Sequence, residues 1–133
     1  MHVDLSSEDV GSQVVRAYLS RQHYGDIENS CPMVALPTDV ARSDATAKRA
    51  FQTVFDAMVD VLERSLRDKK RPRHVRAQAI AALCVGGMIV SRTMIDCDAA
   101  DELRSACMRM AHKLGGWDKR VMRLGRKSKR ALN

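Results

Sequence analysis

The sequence predicts an all-α fold, and three observations support this prediction. Its 133 residues are the length of one domain with one modest core. Seven Gly and three Pro are too few for a loop-rich all-β chain. Apolar residues recur at helical spacing along most of the chain. We therefore expect a helical domain over 1–116, followed by a basic tail over 117–133.

The N-terminal third is predicted to contain short helices. The first is expected to begin at Ser6 or Ser7, whose hydroxyl can cap free backbone N–H groups. Residues 21–31 are polar and predict a loop. In the segment 31–42, Pro32 suits a first helical turn, but Pro37 would remove an internal hydrogen bond. We expect a kinked or two-piece short helix there.

Three longer helices are predicted to follow. Asp44 is the expected cap of an amphipathic helix over 45–66, and Pro72 is the expected first residue of a helix that runs to 94. Asp98 is expected to open a final helix over 99–114, which Gly115 and Gly116 terminate.

The helix over 72–94 is apolar on all sides at its middle. Its longest apolar run, 79–90, has twelve residues, fewer than the roughly 18 to 20 of a membrane span. Other helices or a second subunit must therefore cover it. Gly86 and Gly87 cost about 1 kcal/mol each in a helix, and close backbone approach usually offsets this cost.

The net charge of +7 is concentrated at the C-terminus, because residues 1–112 hold equal numbers of each sign. A basic tail without interleaved aromatic residues can hold nucleic acid non-specifically. The candidate contacts for this alternative are Arg120, Arg123, Arg126, Lys127, Lys129 and Arg130.

No pattern in the sequence predicts catalysis, a metal or a cofactor. The four His are scattered, and no phosphate loop or nucleophile motif occurs. The four Cys form no C-x-x-C pair, which is typical of reduced, mostly buried thiols in a cytoplasmic protein. The N-terminus lacks the apolar region of a signal peptide. We expect a cytoplasmic protein that is not an enzyme and does not bind a membrane.

Five sequence blocks, taken in order, resemble the C-terminal regulatory domain of TetR-family transcriptional repressors. The most informative is Cys-Pro followed by a short apolar helix, which is similar to a G-C-P-x-x-A-L stretch in one branch of that family; here Ser30 stands where Gly is usual. The blocks are Val-Val-Arg-Ala-Tyr-Leu-Ser (14–20), Ser-Cys-Pro-Met-Val-Ala-Leu-Pro-Thr-Asp-Val-Ala-Arg (30–42), Ala-Phe-Gln-Thr-Val-Phe-Asp-Ala-Met-Val-Asp-Val-Leu (50–62), Ala-Leu-Cys-Val-Gly-Gly-Met-Ile-Val-Ser-Arg (82–92) and Asp-Glu-Leu-Arg-Ser-Ala-Cys (101–107).

The resemblance implies a homodimer and a pocket for a small, apolar effector. The last two long helices would pair with their symmetry mates in a four-helix bundle; the implied interface residues are Ala82, Gly86, Ile89, Val90, Leu103, Cys107 and Met110. The implied pocket residues are Tyr18, Met33, Leu36, Val40, Phe51, Phe55, Met58, Leu83 and Gly87. Phe51 and Phe55, one helical turn apart, are also compatible with an ordinary core.

Two features depart from the family pattern. Only about six residues precede the first predicted helix, whereas the family carries an N-terminal helix-turn-helix module. Pro37 also interrupts a helix that is usually continuous. We therefore expect a sensor and dimerisation domain that makes no sequence-specific DNA contact itself. The alternatives are a nucleic-acid-associated protein that uses its basic tail and a heterodimerisation partner of a full-length regulator.

Overall fold

A computed structural model of the chain describes residues 3–7, 9–67 and 72–118. Within these ranges the chain forms helices and no strands, which confirms the predicted all-α class. The helices are α1 (Val10–Tyr18), α2 (Arg21–Gly25), α3 (Pro32–Ala35), α4 (Pro37–Ala41), α5 (Ala45–Ser65), α6 (Arg73–Arg92) and α7 (Cys97–Gly115).

Helix α6 lies at the centre of the packing. Its most extensive contact is with α7, and it also packs against α1, α3 and α5. Its buried face includes Ile80, Cys84 and Met88, each with no exposed surface. Val15 and Leu62 complete this core from α1 and α5. Burial of such side chains supplies the main favourable free energy of folding.

Several predicted helix ends are confirmed. Asp44 caps α5, since its Oδ1 accepts a hydrogen bond from the Ala47 N–H at 2.9 Å. Pro37 begins a second short helix, which divides the segment 31–42 into α3 and α4. Gly116 ends α7 with φ 73°, a left-handed conformation that glycine adopts without strain.

Other predicted boundaries are wrong. Neither Ser6 nor Ser7 caps α1, which begins at Val10 after Asp9; the Ser7 hydroxyl instead accepts from the Asp9 N–H at 3.1 Å. The predicted loop over 21–31 begins with the short helix α2.

The two C-terminal helices also begin elsewhere than predicted. Pro72 is the N-cap of α6 and not its first residue, and α6 ends at Arg92. Helix α7 begins at Cys97 because Asp96, and not Asp98, caps it with bonds from two backbone N–H groups.

Two further expectations about burial need correction. Of the four cysteines only Cys84 is buried, and Cys97 is exposed. Trp117, which we assigned to the tail, is 5% exposed and packs in the folded body. Its indole N–H donates to the Ser65 carbonyl at 3.0 Å, and an added Cβ at Gly11 would overlap its ring. Trp117 therefore joins the end of α7 to α1 and α5.

Among the described helices, α6 alone has the length and mean hydropathy of a membrane span. Core helices of soluble proteins have the same properties. Its buried face is packed against the helices described above, while its other face is exposed to different degrees.

Candidate functional site

An open cavity of about 470 Å³ lies between α1, α2 and the loop that leads to α3. This volume falls within the range of small-molecule sites. Polar and apolar groups share the lining, which comprises Ala17, Tyr18, Ser20, Gln22, His23, Asp26, Asn29 and Cys31.

Two hydrogen bonds fix α2 beside the end of α1. The Ser20 hydroxyl caps α2 by accepting from the His23 N–H at 3.1 Å. The His23 ring donates from Nδ1 to the Tyr18 carbonyl oxygen at 2.6 Å, so its proton lies on that nitrogen. The same ring packs edge-on against the Tyr18 ring, with centroids 4.9 Å apart. His23 thereby holds one wall of the cavity in place.

Another part of the cavity wall is a turn held by Arg92 from the end of α6. Asp26 Oδ1 accepts from the backbone and side-chain N–H groups of Asn29 at 3.2 and 3.0 Å. The Arg92 guanidinium donates to the Ser30 hydroxyl at 2.6 Å and to the carbonyl oxygens of His23 and Asp26. One side chain of the central helix therefore ties both ends of the cavity wall to the core.

Two buried donors at this place have no hydrogen-bond partner within the described residues. They are the Tyr18 hydroxyl and the Arg92 Nε–H. Tyr18 is 3% exposed, and burial is the main cause that raises its pKa well above the usual value; the nearby Cys31 adds to this effect and the charge of Arg92 opposes it. The phenol is thus a protonated donor throughout the physiological pH range.

A buried donor without an acceptor costs free energy, so such groups are rare in folded proteins. Tyr18 lines the cavity, and Arg92 lies behind its wall, where it donates to the carbonyl oxygens of the lining residues His23 and Asp26. A bound molecule with acceptor atoms would remove this cost. The arrangement is therefore suited to binding.

The predicted pocket residues do not all lie in one place in the structure. Tyr18 lines the cavity between α1 and α2. Met33 is buried in the core, while Phe51, Phe55, Met58 and Leu83 are partly buried against it. Leu36 is 45% exposed, Val40 is half-buried, and Gly87 is buried against Cys107.

Sequence reasoning missed most of the cavity. The spacing of the four His does not distinguish His23 from the others, and in the sequence Arg92 is only the last residue of the block 82–92. The available signal was local: Ser20, three residues before His23, has the spacing of a helix cap. The bond from Arg92 to Ser30 joins residues 62 positions apart, and nothing in a single sequence indicates such a pairing.

The predicted interface residues form a second surface, which we call the α6–α7 face. None of them is buried in the single chain. Ala82, Val90 and Met110 are exposed, and the latter two expose 47% and 49% of their surface. The half-buried members are Gly86, Ile89, Leu103 and Cys107. A Cβ at Gly86 would meet no atom within 4 Å, so this part of the face is open.

The arginines and lysines proposed as nucleic-acid contacts, 120–130, lie outside the described residues. Among the residues that are described, no group of three or more His, Cys, Asp or Glu is placed to hold a metal ion.

No protein-family model, curated protein or solved structure matches the chain. The cavity, the α6–α7 face and the resemblance of the sequence blocks are the features of this chain that bear on function.

Proposed function

We propose that this chain is the effector-sensing and dimerisation domain of a TetR-like transcriptional regulator that acts in the cytoplasm. Its cavity would bind a small effector molecule, and its α6–α7 face would pair with a second copy. The observation that carries the proposal is the position of Arg92. This residue holds the cavity wall from one end of α6, while the rest of α6 exposes a row of small and apolar side chains.

The α6–α7 face has the composition of a helix-packing surface. Alanine and glycine allow two helices to approach closely, while Ile89 and Val90 on α6 and Leu103 and Met110 on α7 supply apolar area. Exposed contiguous apolar patches in soluble proteins mark interaction sites. A two-fold arrangement would bury this face against itself.

The connection between the two surfaces would provide the signal. A ligand that contacts the cavity wall alters the environment of Arg92, and Arg92 belongs to the helix that forms the interface. The ligand shifts a conformational equilibrium only as far as it binds the two states differently. In a complete regulator such a shift would change the spacing of two DNA-reading modules.

The experiment that tests the proposal is sedimentation equilibrium of the chain and of Val90→Asp, a charge placed in the α6–α7 face. We expect a dimer for the natural chain and a helical monomer, verified by circular dichroism, for Val90→Asp. The matched control is Val54→Asp on α5, which is 50% exposed in the natural chain and should leave the dimer intact. A monomeric natural chain, or a dimer that survives Val90→Asp, would contradict the proposal.

A further inference from the structure

We propose that the cavity binds a small molecule with a carboxylate group, and that the Tyr18 hydroxyl and the Arg92 guanidinium hold this carboxylate. The inference rests on the proposed sensing function and specifies the chemical class of the effector.

The charge of Arg92 favours an anionic ligand. Its guanidinium forms no ion pair within the described residues, and its partners are the Ser30 hydroxyl and two backbone carbonyl oxygens. Arg67 and Arg104, whose side chains are mostly removed from water, pair with the carboxylates of Asp9 and Asp101. A cation that is partly removed from water without an anion is costly, and a ligand carboxylate would supply that anion.

The direction of hydrogen bonding also favours a carboxylate. The Arg92 Nε–H can only donate, and within the described residues the Tyr18 hydroxyl has no oxygen or nitrogen acceptor, only the weakly accepting sulfur of Cys31 beside it. An ionised carboxylate is an acceptor at both oxygens, so one group satisfies both donors. An ammonium ligand has only donors and leaves both atoms unpaired.

The rest of the cavity lining also bears on the ligand. Asp26 is the acidic residue in its lining, and its Oδ1 is bound to the Asn29 N–H groups. Asp26 is also exposed, so its charge is solvated at the mouth. Cys31 lies beside the Tyr18 hydroxyl and lines the same cavity. Rotation of this small side chain would open the hydroxyl to the ligand.

The test is isothermal titration calorimetry of the full chain with octanoate and cyclohexanecarboxylate, each compared with its primary amide. Each amide has nearly the same shape as its carboxylate but carries no charge. We expect the carboxylates to bind about tenfold or more tightly than the amides, since a hydrogen bond to a charged group is stronger than one to a neutral group.

Two variants locate the carboxylate. Tyr18→Phe removes only a hydroxyl without an oxygen or nitrogen partner, so the protein should fold as before and lose about tenfold in carboxylate affinity. Arg92→Gln should lose at least as much, but it also removes bonds to the cavity wall, so Tyr18→Phe is the decisive variant. The matched control is Tyr24→Phe, whose ring lies over Arg104 outside the cavity lining and which should bind as the natural chain does.

Equal affinity for acids and amides would overturn the carboxylate assignment and leave the sensing function intact. Unchanged carboxylate binding in Tyr18→Phe, or the absence of binding by both carboxylates, would overturn it as well. The proposed function is tested by a different experiment, because sedimentation of the natural chain as a monomer would contradict it whatever the calorimetry shows.

Discussion

Cys84 shows how complete burial affects a single ionisable residue. It has no exposed surface, and burial raises the pKa of its thiol from 9.0 to about 12, with a smaller effect from Cys107. The folded protein therefore holds this proton more tightly than the unfolded chain does. This contribution to stability is complete below about pH 9 and is lost as the pH rises toward 12.

We expect the urea midpoint of the natural chain to decrease as the pH is raised from 9 to 11. The titration of Cys84 should lower the free energy of unfolding by up to about 1 kcal/mol for each pH unit in this range. Cys84→Ala should be less stable at neutral pH because of its cavity, but its stability should depend less steeply on pH. Cys97→Ala, at an exposed position, is the control and should keep the natural slope. Equal slopes for all three proteins would refute this assignment.

The adjacent glycines of α6 should respond in opposite directions to alanine. At Gly86 a Cβ meets nothing within 4 Å, so Gly86→Ala should stabilise the helix by about 1 kcal/mol. At Gly87 a Cβ would lie 2.9 Å from Cys107 Sγ and 3.2 Å from Leu19 Cδ2, so Gly87→Ala should cost about 1 to 3 kcal/mol. Urea unfolding of both variants in the Val90→Asp background measures these effects without a partner chain. Similar effects at the two positions would show that the packing at Gly87 is not close.

At the scale of helices, the strength of the local signal determined how well the sequence predicted an end. Asp44 caps the start of α5 and Gly116 ends α7, each through a short-range interaction, and the sequence predicts both positions correctly. The start of α1 was misplaced because Ser6, Ser7 and Asp9 are all acceptable caps on composition alone. The pairing of Arg92 with Ser30 depends on tertiary packing, which local patterns do not encode.

The cap of α5 gives a measurable expectation. Asp44→Ala removes the acceptor for the Ala47 N–H and should lower the free energy of unfolding by about 1 kcal/mol. Asp44→Asn keeps an acceptor oxygen and should retain most of the stability. Chemical denaturation followed by circular dichroism compares the two variants. An equal loss in both would point to the charge of Asp44 near the helix end and not to its hydrogen bond.

At the scale of the whole molecule, Trp117 connects segments that are distant in sequence. Its indole N–H binds Ser65 at the end of α5, its ring packs edge-on against His112 of α7, and Gly11 of α1 lies against it. Composition alone placed this residue in the tail, because its neighbours are basic. The apolar, aromatic character of Trp117 itself was the better indicator of burial.

We expect Trp117→Phe to lower the melting temperature by roughly 5 to 10 °C, since it removes a buried hydrogen bond and part of the packing. Asp118→Asn, at the exposed next position, should leave the melting temperature unchanged. Thermal unfolding followed at a helical wavelength measures both. A neutral Trp117→Phe would mean that the bond to Ser65 contributes little to the fold.

Because Trp117 is the one tryptophan in the sequence, it is also an intrinsic optical probe. Its indole is buried at the junction of α1, α5 and α7, so its emission should be blue-shifted in the native protein. Any process that separates the end of α7 from α1 exposes the ring to water and shifts that emission to longer wavelength. The chain thus reports on its own helix packing without an attached label.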